Sequence, residues 1–386
     1  MNIFTFNSAL AANFTRGSAT YTFRFSPGVP YILARPQLTK LHPVEEFRNA
    51  VLKQSLLDPR IQNFHVKAGK PGQRVLIYNG CGGYGDQIMT WPVAKELHRI
   101  GYRVTVLVDP GNAECWERLP FINGIMTLPV EAMAFEQMDH LAFFEVVSNL
   151  DEHTPQLHAT DAMMYKIGID WTQPEVGKTV APSFSDEERN TAKDLASTLK
   201  SEHKRKNIAM YQLASASKVR SLSPGESLAL LTRLAESYPD TLWLAVHDGS
   251  THTFSSAIAS EPWKHSNVVY FKATTIRSLW ALTQHTRLVI APDSMMVHVA
   301  GSLDVPCIGL WGPTSPDTRV KYYCTHVRLE PESKSCPLGP CHCYTTLFPT
   351  YCPSNGWIRS QCSILDDISF DAVIEQSKPF LCVDDR

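Results

Sequence analysis

The chain has 386 residues, 44% apolar and 19% charged, with a formal net charge of −2. At about 150 residues per domain this is two or three domains with ample core, which excludes a disordered chain, a disulfide-stapled miniprotein and a uniformly basic nucleic-acid binder. No apolar run approaches the roughly 18 residues of a membrane span, and the N-terminus lacks the pattern of a signal peptide, so the expected location is cytoplasmic. In chain order, YTFRF (21–25) and PYILA (30–34) read as strands, and 42–57 as an amphipathic helix. Residues 1–70 thus form a small appended α+β unit. From residue 74 strands and helices alternate. Strands are expected at 74–79, 102–109, 124–129 and 141–146, with helices from about Asp86 to Ile100, near 112–119 and near 157–167. A polar, Pro-bearing stretch at 171–205 reads as a linker plus a helix near 185–201. A second series follows, with strands at 207–213, 241–248, 267–273, 287–293 and 306–312 and helices at 224–237, 275–285 and 294–303. Residues 324–365 form an irregular cysteine-rich insert, and 369–381 a closing helix.

Two tandem βα series predict two doubly wound parallel sheets, a 71–175 domain and a 176–386 domain. Ligands of such sheets bind at the carboxyl ends of the strands, here in a cleft between the two domains. The net charge conceals an asymmetry. Residues 1–79 hold ten Lys/Arg against three Asp/Glu, whereas 80–170 hold five against thirteen.

Three segments carry chemistry. Asn79–Pro92 (NGCGGYGDQIMTWP) places glycines 80, 82, 83 and 85 after a strand, so that Gly83 and Gly85 let a ligand approach the backbone. Asp86 is then either a helix N-cap or a catalytic carboxylate. The segment is neither a dinucleotide fingerprint nor a P-loop. Ala291–Pro316 contains Pro292-Asp293 at a strand end and a helix starting at Ser294, whose free N–H groups suit a diphosphate. His298 reads as a core histidine or a ligand contact. In Tyr211–Pro224 a small-residue loop leads to Lys218 and Arg220. These are either solvated charges or cations that neutralise a phosphate.

In this order and spacing the three segments resemble glycosyltransferase family nine, the ADP-heptose heptosyltransferases. The family's Gly-Asp with a Pro six residues on matches Asp86 and Pro92. Its basic residue fits Lys218 or Arg220, with Leu222 in place of Trp. Its Asp-Ser/Thr-Gly-x-x-His matches Asp293, Ser294 and His298, except that Met295 replaces Gly. Its closing loop matches Gly312-Pro313-Thr314-Ser315-Pro316. The resemblance covers about residues 74–320. It implies a GT-B fold of two Rossmann-like domains and an inverting transfer without a catalytic metal. Asp86 would be the general base. Lys218 or Arg220, Asp293, Ser294, His298, Gly312 and Thr314 would bind the donor.

Cys336, Cys341, Cys343, Cys352 and Cys362 lie within 27 positions. Four of these five thiolates could close one structural site for iron or zinc, although their spacings are not those of common zinc modules. Buried reduced thiols or disulfides are the alternatives. A cysteine-rich iron finger after the second-domain core is similar to the autotransporter heptosyltransferases, a protein-modifying branch of the family with an N-terminal extension and large oligomers. That branch implies a homo-oligomer and a protein acceptor. The acidic 80–170 region also disfavours a polyanionic acceptor. The basic N-terminal segment favours the competing reading, a transferase acting on lipopolysaccharide or modified nucleic acid. Met295 motivates a third, a non-catalytic nucleotide-sugar-binding assembly protein.

Overall fold

The computed structural model describes all residues except 1, 17–18, 34–37, 39–40, 42, 57–63, 81–82, 145–156, 247–264, 330–334, 342–349, 353–355, 359–360 and 383–386. The chain divides into two compact units. One is Met1–Thr154 with Ala159–Lys178, the other Pro155–His158 with Thr179–Arg386.

The first unit opens with β1 (Asn2–Phe6), a hairpin of β2 (Leu10–Arg16) and β3 (Ala19–Phe25), and β4 (Pro30–Leu33). Phe4, Phe6, Phe25, Tyr31 and Phe47 pack ring against ring beneath them. The helix expected over 42–57 is corrected. Only α1 (Glu45–Ala50) is helical, and β5 (Val51–Leu56) follows, paired antiparallel with β1. Val44 precedes α1 without a side-chain cap, and one short uncapped helix cannot hold its own end. Pairing with β1 offers the next six residues a complete backbone ladder instead.

A parallel sheet then forms from β6 (Arg74–Tyr78), β7 (Arg103–Val108), β8 (Gly124–Thr127) and, after β9 (Val130–Glu131), β10 (His140–Phe143). Its order is β10-β6-β7-β8. Helix α2 (Tyr84–Arg99) crosses from β6 to β7, and a 3-10 turn, Pro110–Cys115, stands where a helix was expected near 112–119. The short α3 (Met133–Glu136) and α4 (Ala159–Lys166) complete the unit. β9 pairs with β4, so the N-terminal sheet has the order β5-β1-β4-β9.

The second unit carries a six-stranded parallel sheet. Its strands are β11 (Asn207–Gln212), β12 (Thr241–Val246), β13 (Val268–Phe271), β14 (Leu288–Pro292), β15 (Cys307–Leu310) and β16 (His326–Leu329). The order is β13-β12-β11-β14-β15-β16. β16 lies inside the expected 324–365 insert, so the irregular segment begins only after the sheet is complete. Alternate strand residues face two helical layers. Ile208 and Met210 meet α5 (Asp186–His203), α7 (Ile276–Thr283) and α8 (Met295–Ser302). Ala209 and Tyr211 meet α6 (Pro224–Ser237) and α9 (Phe370–Leu381). β17 (Thr350–Cys352) and β18 (Gly356–Ile358) form a small hairpin in the insert. Two α/β units on parallel sheets are the GT-B architecture. No helix among the described residues is long and apolar enough to cross a membrane.

Candidate functional site

In the second unit the chain winds outward from β11 in one direction and from β14 in the other. The crevice past the carboxyl ends of these two strands is therefore the switch point at which such sheets bind ligands. Gln212 ends β11, and Asp293 follows β14. Ser294 is the N-cap of α8, but its hydroxyl donates to Gln212 Oε1 instead of closing the helix. The small-residue loop after β11 folds on itself. The Ser215 N–H donates to Ser221 Oγ (2.9 Å), and the Ser221 hydroxyl donates to the Ser217 carbonyl (3.0 Å). This closure presents a 3-10 turn, Lys218–Arg220.

Lys218 is exposed, whereas Arg220 Nη1 lies 3.4 Å from Asp293 Oδ2. Of the two cations, Arg220 is thus the one that reaches Asp293. Burial alone would raise the Asp293 carboxyl. Arg220 and Arg319, with a smaller contribution from the buried Thr314 hydroxyl, instead hold it below the usual carboxylate range. His298 is buried and its ring is brought down to about 3, by burial first, against the pull of Asp293. It is therefore a neutral imidazole, with Nδ1 3.3 Å from the Tyr323 hydroxyl. Gly312 follows β15, and a Cβ there would come 3.1 Å from Leu365 Cγ. Met295 has a place of its own. The buried Trp280 indole N–H donates to its sulfur at 3.4 Å.

In the first unit β6 is the switch strand, with β7 on one side and β10 on the other. The helix after it starts at Tyr84, so Gly83 is the N-cap and Gly85 lies within the first turn, a correction to a start at Asp86. Asp86 is consequently the third helical residue, not the cap. A Cβ on Gly83 would stand 2.7 Å from Asp86 Oδ2, so the carboxylate folds back over this glycine at the positive end of the helix. The helix N-terminus favours negative charge at this position.

Residues 142–332 match the profile of glycosyltransferase family 9 (heptosyltransferase). This stretch carries a family 9 glycosyltransferase domain. Among solved structures it is similar to the ADP-heptose lipopolysaccharide heptosyltransferase II of E. coli, with a TM-score of 0.58 and 11% identity over 80% of this chain and 98% of that one. A family 9 glycosyl transferase from Veillonella parvula aligns with a TM-score of 0.57 and 15% identity over 81% and 98%. The dodecameric iron-containing heptosyltransferase TibC of enterotoxigenic E. coli, in complex with ADP-D-β-D-heptose, aligns with a TM-score of 0.56 and 12% identity over 98% and 95%; a second TibC structure aligns over 81% of this chain. No curated protein matches the sequence.

Several residues around the enzyme's motifs gave no sequence signal. Arg319 is a buried second cation for Asp293, and His158 Nε2 lies 2.8 Å from the Arg319 carbonyl. Neither sits in a recognisable motif, and both act through the fold. The cysteine segment reaches the same turn. The Cys362 N–H donates to the Val219 carbonyl (3.1 Å), and Cys336, Cys362 and Ile364 pack on Val219, between Lys218 and Arg220. The Cys362 thiol is pushed up to about 11, by burial and then by the Cys341, Cys336 and Cys352 thiols. Those four cysteines therefore share one neighbourhood; Cys343 lies outside the described residues. Among the described residues, no group of three or more His, Cys, Asp or Glu is arranged to hold a metal ion.

Proposed function

We propose that the enzyme transfers a heptose from ADP-heptose, with inversion, to a hydroxyl of a protein. Asp86 takes the proton of that hydroxyl while its oxygen attacks the anomeric carbon. The bond from that carbon to the diphosphate oxygen breaks, and the leaving charge falls on Arg220 and on the N–H groups at the start of α8. Lys218 adds charge at the same turn. Asp293 accepts hydrogen bonds from sugar hydroxyls, with Ser294, Gly312 and Thr314 shaping the surroundings of the sugar diphosphate. His298, neutral, serves as a hydrogen-bonding wall of the donor site. The observation that carries the donor reading is the pairing of half-buried Arg220 with buried Asp293 at the switch point of the second sheet. A cation held there for a carboxylate still has donors for a phosphate.

The protein acceptor rests on the acidic 80–170 stretch, and on the alignment with TibC, which spans 98% of this chain. The same likeness supports a homo-oligomer. A structural iron or zinc would be held by four of Cys336, Cys341, Cys343, Cys352 and Cys362 and would supply no step of the transfer. Its chemistry there would be that of a cross-link between segments of the insert. Mass spectrometry of candidate acceptor proteins co-expressed with the enzyme and a supply of ADP-heptose tests the reading. A gain of one heptosyl unit on a protein is the expected result. Transfer to lipopolysaccharide core alone would replace the protein acceptor. Metal analysis of the purified protein, with and without Cys352, tests the insert.

A further inference from the structure

Helix α2 contains Pro92, which has no N–H and cannot donate to the carbonyl of Ile88. The helix that carries Asp86 lacks that one backbone bond, and side chains add bonds of their own to the neighbouring carbonyls. Thr160 of α4 donates to the Met89 carbonyl at 2.8 Å. Asn79, buried directly after β6, donates its amide nitrogen to Thr90 Oγ1 (2.8 Å) and to the Asp86 carbonyl (3.2 Å). The Thr90 hydroxyl in turn donates to that same Asp86 carbonyl at 2.8 Å. The far side of the network is closed as well. Gln87 Nε2 donates to the Asn79 carbonyl (3.3 Å), and the Trp116 indole N–H donates to Gln87 Oε1 (3.0 Å).

A buried amide must find partners somewhere. Here two separate side-chain donors end on the backbone of one residue, and that residue carries the proposed base. On the other side of Asp86 the bare Gly83 leaves room for its carboxylate. We propose that Asn79 and Thr90 are positioning residues that fix the Asp86 carboxylate for proton transfer. The inference rests on Asp86 being the general base. A displacement of about an ångström at a reacting group costs up to roughly a hundredfold in rate, while leaving donor binding alone.

The test uses the full-length enzyme and ADP release from ADP-heptose with an acceptor that the wild type glycosylates. The variants are Asp86→Asn, Thr90→Val, Thr90→Ser and Asn79→Ala, each checked for an unchanged thermal transition. Thr90→Val keeps the shape and removes the hydroxyl. It is expected to lower kcat roughly tenfold, with KM for ADP-heptose within about twofold. Asn79→Ala should do the same, and the double variant should fall well short of the product of the two, because both act on one carbonyl. Thr90→Ser, which restores the hydroxyl, should recover most of the turnover. If Asp86→Asn abolishes turnover but Thr90→Val and Asn79→Ala keep the wild-type kcat, the positioning role is wrong and the base reading stands. Equal losses in Thr90→Val and Thr90→Ser also overturn it, since shape and not the hydroxyl would then matter. Unchanged turnover in Asp86→Asn removes the base reading and the positioning role together.

Discussion

At the residue scale, two positions separate conformational from chemical effects. Gly83 has φ −82°, a value any residue adopts, so alanine there is tolerated by the backbone. The added methyl nevertheless meets Asp86 Oδ2. Gly83→Ala should therefore leave the melting temperature unchanged or slightly higher, while kcat drops by about an order of magnitude. Parallel thermal melts and initial rates check this; a lost fold together with lost activity would point to the backbone instead. His298 makes a pH prediction. Its folded value is about 3, below the ordinary ~6.5 of an unfolded chain. Between these values the unfolded state binds the proton and the folded state does not. Its contribution is therefore fully present above about pH 6.5 and is lost as pH falls toward 3. Asp293, also depressed, adds a loss at lower pH, below the ordinary carboxylate value. Urea midpoints measured from pH 7 down to 4 should fall, and His298→Gln should flatten the upper part of that slope.

At the element scale, Glu188 ties two helices together. It completes the capping box of α5 with Ser185 and receives Arg277 of α7 through Oε1 (2.6 Å) and Oε2 (3.0 Å). Its carboxyl is brought down to about 2, chiefly by the Arg277 hydrogen bonds. Arg277 is buried, so Glu188→Ala strands a cation and should cost about 3 kcal/mol in denaturant unfolding. A loss below 1 kcal/mol would mean that the pair is solvated. Elements with local signals were readable beforehand. α6 runs from Pro224 to Ser237 as expected, because Ser223, Pro224 and Glu226 form a capping box with proline at the first helical position. The parallel strands were readable because both faces are buried, which makes them continuous apolar runs. β5 was not, since its helical periodicity continues that of α1 and its partner is β1, some fifty residues away. Likewise no spacing rule could place Arg220 beside Asp293. That placement depends on how a closed serine loop turns toward the end of another strand.

At the scale of the first unit, the N-terminal segment is more than an appendage in its packing. Ile32 of β4 is fully buried in one cluster with Leu76, Tyr78, Leu107, Leu128, Phe135 and Leu141, which belong to or flank the parallel sheet. β9 meanwhile leaves that region to pair with β4. Two sheets thus share one core, and the basic character of residues 1–79 is carried by a segment welded to the acidic stretch that follows it. Removing residues 1–70 would expose those side chains to water and leave β9 without its partner strand. Burying a large apolar side chain is worth about 1.5–3 kcal/mol, so exposing several, even in part, is comparable with the whole 5–15 kcal/mol stability of an ordinary domain. The 71–386 chain should therefore be insoluble or bind a hydrophobic dye without a cooperative transition, even though it retains every motif of the transfer reaction. Size-exclusion chromatography and a thermal melt decide it. A soluble 71–386 protein that melts cooperatively and still binds ADP would show that the shared core is dispensable, and that the first seventy residues are a detachable module.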